Sequence, residues 1–147
     1  MTATTNPGDG AKSVRLLLVD VHEVSRGSSR ILLDTIAGYE VVGETSEHGE
    51  ALTMVASLKP DVVIVSMRVK GSNGPDTVRD ILKQSPNVRV VVWTLFDDPE
   101  YVRAALNAGA IAYVLKQDPA QEIEIAIEYA LKGRVYCSPS VLQFQKD

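Results

Sequence analysis

The sequence contains a single cysteine, Cys137, so it cannot form an internal disulfide. Cys137 has no histidine or second cysteine close to it in the sequence, and we assign it no redox or metal-binding role. Long apolar runs are also missing, because no stretch approaches the ~18–20 residues that cross a membrane and none follows a basic start as in a signal peptide. These absences predict a cytoplasmic protein that does not contact membranes.

Positive charge is scarce as well. The chain has 15 lysines and arginines against 19 aspartates and glutamates, a net charge of -4. Proteins that bind nucleic acid normally carry a basic surface, so we expect no nucleic-acid contact by this chain itself. His22 and His48 lack the spacing of metal ligands. The 147 residues, 45% of them apolar, are enough for one domain with a buried core.

Composition divides the chain into three parts. Residues 1–13 are rich in Thr, Gly, Asn, Pro and Ala without apolar periodicity, which predicts a disordered leader. Residues 14–134 alternate apolar runs with amphipathic stretches, and they are predicted to form one domain. Residues 135–147 are predicted to be a C-terminal tail or the start of a linker, although Ser138 also suits the cap of one more short helix.

Short apolar runs are each followed by a stretch with helical periodicity, which indicates a β/α fold. The first, third and fourth runs are apolar at consecutive positions, as in parallel strands covered by helices on both faces. We therefore predict an α/β fold, a single flavodoxin-like doubly wound (βα)5 sheet of five parallel strands in the order 2-1-3-4-5. The predicted strands are residues 15–19, 41–44, 62–65, 88–93 and 112–115, and the predicted helices are residues 24–36, 49–58, 74–85, 99–108 and 119–132.

Polar side chains stand at the ends of four of these runs. Asp20 follows the first run, Ser66 closes the third, Thr94 ends the fourth and Lys116 follows the fifth. Because the carboxyl ends of parallel strands meet at one edge of a sheet, we expect these side chains to converge on one pocket. Such a set would hold a phosphoryl group if Ser66 were a carboxylate.

The apolar runs and the residues that end them resemble the receiver domains of bacterial NarL/LuxR-type response regulators. The resemblance covers residues 14–139 and rests mainly on residues 16–22 (LLLVDVH), residues 60–68 (PDVVIVSMR), Thr94 and residues 108–116 (AGAIAYVLK). It implies the predicted fold. It also implies an ancestral site in which an aspartate accepts a phosphoryl group from a histidine kinase.

The resemblance assigns roles to several positions. In the family, a hydroxyl after the fourth strand and a lysine after the fifth contact phosphoryl oxygens, and Thr94 and Lys116 match them. Tyr113 matches the aromatic partner of the switch hydroxyl. An ordinary packing role on a strand remains open for both Thr94 and Tyr113.

The chain departs from the family at the acceptor and at the metal. Ser66 replaces the acceptor aspartate, and Val21 replaces the second acid of the pair that follows the first strand, so that only Asp20 remains. Mg²⁺ needs near-octahedral oxygen ligation that usually includes one or two carboxylates. Asp20, the Ser66 hydroxyl and a backbone carbonyl near Arg68 make a poor site, so we expect no metal and no other cofactor.

Serine is also a poor phosphate acceptor at this position. A hydroxyl must lose a proton to attack phosphorus, and the sequence assures no general base beside Ser66. We instead expect Lys116 to pair with Asp20 and to bond Ser66, which would fill the empty pocket and hold one conformation. The alternative is that Lys116 is an ordinary exposed lysine.

The combined prediction is a pseudo-receiver: a non-enzymatic signalling module that works without phosphorylation at the usual site. We expect it to contact a partner protein or a second copy of itself through the face formed by the fourth helix, the fifth strand and the fifth helix. The residues predicted for this face are Tyr101, Arg103, Asn107, Tyr113, Gln121 and Glu128.

Three other functions stay open. The chain is alternatively the receiver half of a helix-turn-helix transcription regulator whose DNA-binding domain is absent from this sequence. A second alternative is a sensor that binds a small ligand, such as an anion, in the vacated phosphate pocket. The third is an enzyme: a protein that still accepts phosphate, on Ser66 or elsewhere, and catalyses its own transfer.

Overall fold

The computed structural model describes residues 13–145, so the predicted leader lies outside the described residues except for Ser13. The strands are β1 (Val14–Val19), β2 (Tyr39–Thr45), β3 (Val62–Val65), β4 (Arg89–Thr94), β5 (Ala112–Leu115) and β6 (Tyr136–Cys137). The helices are α1 (Glu23–Asp34), α2 (His48–Leu58), α3 (Gly74–Gln84), α4 (Pro99–Ala108), α5 (Gln121–Leu131) and α6 (Pro139–Gln145). None of the helices in the described residues is long and apolar enough to cross a membrane.

All strands lie in one sheet, in the order β2-β1-β3-β4-β5-β6, and every neighbouring pair is parallel. The α/β flavodoxin-like fold and the order of the first five strands are confirmed. The predicted number of five strands is wrong, because Tyr136–Cys137 adds a sixth strand beside β5. A strand of two residues has no periodicity that a sequence pattern could reveal.

The sheet separates two apolar layers. Val63 and Val65 of β3 face the layer formed with α2, α3 and α4, whereas Val62 and Ile64 face the layer formed with α1 and α5. All four side chains are buried, since a central parallel strand is covered on both sides. Burial of each such side chain stabilises the fold by about 1.5–3 kcal/mol, and it fixes the strand ends that carry the polar residues.

The helix termini follow the proline and glycine signals only in part. Helix α4 begins at Pro99, after Asp98, and ends before Gly109, whose φ of 114° is the left-handed conformation that glycine tolerates. Helix α5 begins at Gln121 and not at the predicted residue 119. Asp118 stands directly before Pro119 but does not cap the helix, and it accepts hydrogen bonds from the hydroxyl and the backbone N–H of Ser140, at 2.6 and 3.3 Å.

The C-terminal segment packs on the edge of the domain. The hydroxyl of Ser138 is buried and accepts a hydrogen bond from the backbone N–H of Leu115 at 3.0 Å. Helix α6 then lies against α4 and β5, and its residue Val141 is fully buried. As a result, the edge of β5 is covered by the chain itself.

Candidate functional site

The polar residues predicted from the strand ends lie at the carboxyl edge of the sheet, and three of them share a cavity. Asp20, Ser66 and Lys116 line a space of about 10 Å³ together with Trp93 and apolar side chains of β1 and β3. Thr94 is not among the residues that line it. A cavity must offer at least ~10–15 Å³ to hold one water molecule, so this space is essentially filled.

Lys116 accounts for the filling. Its ammonium group lies 3.3 Å from a carboxylate oxygen of Asp20 and donates a hydrogen bond to the hydroxyl of Ser25 on α1 at 2.6 Å. It also lies 5.3 Å from the ring centre of Trp93, within cation–π range. The expected pairing with Asp20 is present, but the expected bond to Ser66 is replaced by the bond to Ser25.

Asp20 is held by its own loop as well as by the lysine. Its carboxylate accepts a hydrogen bond from the backbone N–H of His22 at 3.0 Å, and its backbone carbonyl accepts one from Arg26 at 2.9 Å. The side chain is 10% exposed. Because an unpaired carboxylate is costly to bury, the contact with Lys116 stabilises this arrangement.

Arg26 extends the network to β2. Its guanidinium donates to a carboxylate oxygen of Glu44 at 2.8 Å, and Arg30 donates to the other oxygen at 2.6 Å. These hydrogen bonds, first from Arg26 and then from Arg30, lower the pKa of Glu44 below its ordinary value. The first helix is thus fixed to the sheet at two consecutive turns beside the cavity.

Within the described part of the chain, the hydroxyl of Ser66 is hydrogen-bonded only to backbone. The oxygen accepts a hydrogen bond from the N–H of Arg68 at 3.3 Å, and no described carboxylate or imidazole bonds to it. Gly74 at the start of α3 lies against this turn, since a Cβ there would stand 2.8 Å from the carbonyl oxygen of Ser66 and from the Cα of Met67. The serine is 8% exposed, so it is enclosed, and none of the described residues is hydrogen-bonded to its hydroxyl as a general base.

The donor set at the cavity does not fit the Mg²⁺ that the family resemblance implies. Asp20 is the one carboxylate of the described residues that lines the cavity, and Lys116 already neutralises it. Val21 offers its backbone N–H, which bonds to the carbonyl of Arg68 at 3.2 Å, and no oxygen ligand from its side chain. No group of three histidine, cysteine or carboxylate side chains in the described part of the chain is placed to hold a metal ion.

Thr94 and Tyr113 contact the same loop residue. The hydroxyl of Tyr113 donates to the backbone carbonyl of Phe96 at 2.6 Å, and the Phe96 N–H donates to the Thr94 hydroxyl at 3.4 Å. Burial raises the pKa of Tyr113 well above its ordinary value, and the negative charges of Asp97 and Asp98 add to the shift. Tyr113 therefore stays neutral and points inward, joining β5 to the loop after β4.

The predicted partner face needs one correction. Tyr113 is fully buried, so it is not a surface contact residue. The other five residues predicted for this face are exposed: Tyr101, Arg103, Asn107, Gln121 and Glu128. Between α4 and α5, the exposed edge that was expected at β5 is occupied by β6 and α6.

Sequence reasoning missed the contribution of α1. Ser25, Ser28 and Ser29 lie on one side of that helix, around a groove that also contains Lys116 and Trp93. Three serines at spacings of three and four residues form a polar stripe where an amphipathic helix normally places apolar residues. That pattern is visible in the sequence and would have pointed to a polar partner facing α1.

Comparison with known proteins gives consistent results. A family model described as the response regulator receiver domain matches residues 16–128. The transcriptional regulatory protein LiaR of Bacillus subtilis is 33% identical over 120 residues, which is 82% of this chain and 57% of LiaR. The response regulator GacA of Pseudomonas viridiflava is 34% identical over 131 residues, 88% of this chain and 61% of GacA. The chain thus spans about 60% of the length of these curated relatives.

A solved structure agrees over most of its length. The crystal structure of a LuxR-family two-component response regulator from Aurantimonas superposes with a TM-score of 0.85 at 32% sequence identity. The match covers 90% of this chain and 94% of that one.

Proposed function

Because the chain belongs to the response regulator receiver family, of the LuxR/NarL type within two-component systems, we propose that it is a pseudo-receiver that signals without phosphorylation at Ser66. In this proposal it is non-enzymatic, requires no cofactor and works in the cytoplasm. Its output is a contact with another protein or with a second copy of itself.

The contact between Lys116 and Ser25 carries the proposal. A lysine that serves a phosphoryl group must be available to the oxygens at the acceptor, but here its ammonium group is already bound by Asp20, Ser25 and the ring of Trp93. A phosphoryl group at Ser66 would have to displace these contacts from a cavity of about 10 Å³. The contacts of Lys116 therefore keep the cavity beside Ser66 filled without any phosphoryl group.

The chemistry of Ser66 supports the same conclusion. Its hydroxyl has no described base as a partner, and no second carboxylate accompanies Asp20 to place a metal beside it. Both requirements of phosphoryl transfer, an activated nucleophile and compensation of the phosphoryl charge, are weakened together. Restoring only one of them is not expected to restore transfer.

The first test is a measurement on the complete chain with Mg²⁺ and acetyl phosphate. We expect no phosphoryl adduct by intact mass and no saturable amide shifts at Ser66, Thr94 and Lys116. A Ser66→Ala variant serves as the matched control. An adduct on the wild type that disappears in this variant would show that the pocket still accepts phosphate, and it would overturn the proposal.

The proposed contact surface consists of the exposed residues on α4 and α5. Tyr101 and Arg103 lie on the outer side of α4, and Gln121 and Glu128 lie on α5. Charge reversal by Arg103→Glu is expected to weaken self-association in sedimentation velocity, or binding of a cognate partner once one is known. Lys83→Glu on α3 is the control, because it makes the same charge change outside this face.

A transcription regulator is the second candidate function. It is supported by the name of LiaR and by the fact that the chain spans only about 60% of its curated relatives. Reading the encoding DNA beyond the codon of Asp147 tests it. A helix-turn-helix domain in the same reading frame would make this chain the receiver half of such a regulator.

The vacated pocket is not favoured as a ligand site. A cavity of about 10 Å³ leaves no room for an anion between Lys116 and Ser66, and Thr94 does not line it. A ligand there would have to break the contacts of Lys116 with both Asp20 and Ser25.

A further inference from the structure

A groove of about 500 Å³ lies between α3 and α4, apart from the filled cavity at Asp20. Its walls are largely apolar and include Met67, Pro75, Ala104 and the rings of Phe96 and Tyr101. Small-molecule sites usually have volumes of ~300–1,000 Å³ and combine apolar walls with a few polar groups. The groove therefore has the size and composition of a ligand site.

Two aromatic rings form one side of the groove. Phe96 and Tyr101 meet edge to face, with ring centres 5.7 Å apart and planes at 88°. This mutual packing holds both rings in place, because an edge-to-face contact is the preferred geometry of an aromatic pair. Tyr101 remains 42% exposed, so its ring is accessible for packing against an aromatic ring of a ligand.

The guanidinium group of Arg68 adds a positive charge to this side of the groove. The guanidinium carbon of Arg68 lies 5.1 Å above the ring centre of Phe96, and Arg68 forms no ion pair with a described carboxylate. The second arginine of the groove, Arg79, is different, because it pairs with Asp76 at 2.6 Å. The groove thus carries one uncompensated positive charge in a chain whose net charge is -4.

We propose that this groove binds a small aromatic carboxylate, with its ring against Phe96 and Tyr101 and its carboxylate on the guanidinium of Arg68. A planar fork of N–H donors matches a carboxylate in two parallel hydrogen bonds. The apolar walls and the aromatic side favour a flat ring attached to that carboxylate. The limited volume favours a small molecule over an acidic peptide.

The groove shares Phe96 with the interior of the domain. The carbonyl of Phe96 accepts the hydrogen bond from Tyr113, and its N–H donates to Thr94. A ligand packed on the Phe96 ring therefore acts on the backbone that holds Tyr113 inward. Ligand binding would thereby change the hydrogen bonds of Thr94 and Tyr113 without a phosphoryl group.

The ligand proposal does not depend on the chemistry of Ser66, and its groove shares only Tyr101 with the proposed contact surface. Its test is a titration of the complete chain with 2-naphthoate, followed through backbone amide signals. We expect saturable shifts at Met67, Phe96 and Tyr101, together with a shift at Tyr113. The neutral amide of the same ring, 2-naphthamide, and acetate, which lacks the ring, are the matched probes and should bind at least about tenfold more weakly, a difference of ~1.4 kcal/mol.

Variants locate the site. Arg68→Gln and Phe96→Leu should each weaken 2-naphthoate binding about tenfold, whereas Arg134→Gln, an exposed arginine outside the groove, should leave it unchanged. Arg68 is exposed, so its replacement leaves the core intact. Absence of saturable binding, equal binding of 2-naphthamide, or full affinity in the Arg68→Gln variant would overturn the site. Binding without any shift at Tyr113 would overturn the proposed connection to the switch residues.

Discussion

The ammonium group of Lys116 lies 2.6 Å from the hydroxyl oxygen of Ser25, and this contact joins the loop after β5 to the first helix. Lys116 also neutralises Asp20, so a single side chain ties together three segments at the carboxyl edge of the sheet. The proposed pseudo-receiver function gives Lys116 a structural role in place of a contact with a phosphoryl group.

Replacement of Lys116 by methionine should destabilise the domain. The change removes the positive charge that pairs with the nearly buried Asp20 carboxylate. Loss of one member of a fully buried ion pair costs about 3–5 kcal/mol of stability. The cost is smaller at this partly hydrated site. We expect a loss of about 2 kcal/mol in the free energy of unfolding, measured by urea denaturation. The exposed Lys132→Met change is the control, and an equal effect in both variants would contradict a structural role for Lys116.

The double variant Val21→Asp/Ser66→Asp should regain a metal site. It adds two carboxylates beside Asp20, which gives the oxygen ligands that Mg²⁺ requires. We expect saturable Mg²⁺ binding by calorimetry in the double variant and none in the wild type, with a phosphoryl adduct appearing on treatment with acetyl phosphate. If the double variant binds no Mg²⁺, the contacts of Lys116 close the site by themselves.

Glu44→Gln should change how stability depends on pH. The hydrogen bonds from Arg26 and Arg30 lower the folded-state pKa of Glu44, so its contribution is present above the unfolded pKa of ~4.3 and is lost as the pH falls through the lower folded value. We expect the variant to be less stable than the wild type by about 1 kcal/mol at pH 7, because the pair is partly exposed. The difference should shrink below about pH 4, and a difference that stays constant down to pH 2 would exclude the ionised carboxylate as its cause.

Alanine substitutions at two glycines should have opposite effects. A Cβ at Gly74 would lie 2.8 Å from backbone atoms of Ser66 and Met67, so Gly74→Ala is expected to destabilise the domain by about 1–3 kcal/mol through overpacking. Gly27 lies inside α1 and has open space around it, so Gly27→Ala should stabilise by up to about 1 kcal/mol. Thermal unfolding of the two variants compares them directly, and destabilisation by both would contradict this reading of the packing at Gly27.

Loss of the Ser138 hydroxyl should loosen the C-terminal segment. Ser138→Ala leaves the buried N–H of Leu115 without its acceptor, which costs about 1–3 kcal/mol. We expect faster hydrogen exchange of the Leu115 amide and a matching loss of stability. Ser140→Ala removes a half-buried bond to Asp118 and should have a smaller effect; an equal or larger one would show that Asp118 dominates the attachment.

Much of the fold was predictable because the signals are local. The strands β3 and β5 and the helix α4 have the predicted bounds, since consecutive apolar residues mark the strands and Pro99 and Gly109 mark the helix. The start of α5 was not predictable from Asp118. Its carboxylate accepts a hydrogen bond from Ser140, and a local sequence pattern cannot predict a contact between two distant segments.

The candidate site was predictable in its location and only partly in its contacts. The topology of a parallel sheet is enough to bring Asp20, Ser66 and Lys116 to one edge. The direction of the Lys116 side chain depends on the rotation of α1, which places Ser25 within its reach. The inward position of Tyr113 likewise depends on the path of the loop at Phe96, which the sequence does not specify.

The residues of the Asp20–Lys116 pair are separated by 96 positions along the chain. We expect a contact of such long range to form late in folding, because the entropy of closing a long loop must be met before it contributes. This pair joins the end of β1 to the end of β5 and requires β3 and β4 to lie between them, so it forms only when the sheet is nearly complete. Interactions made after the transition state slow unfolding and leave the folding rate almost unchanged. The Asp20–Lys116 pair would then slow unfolding and so lengthen the lifetime of the folded domain.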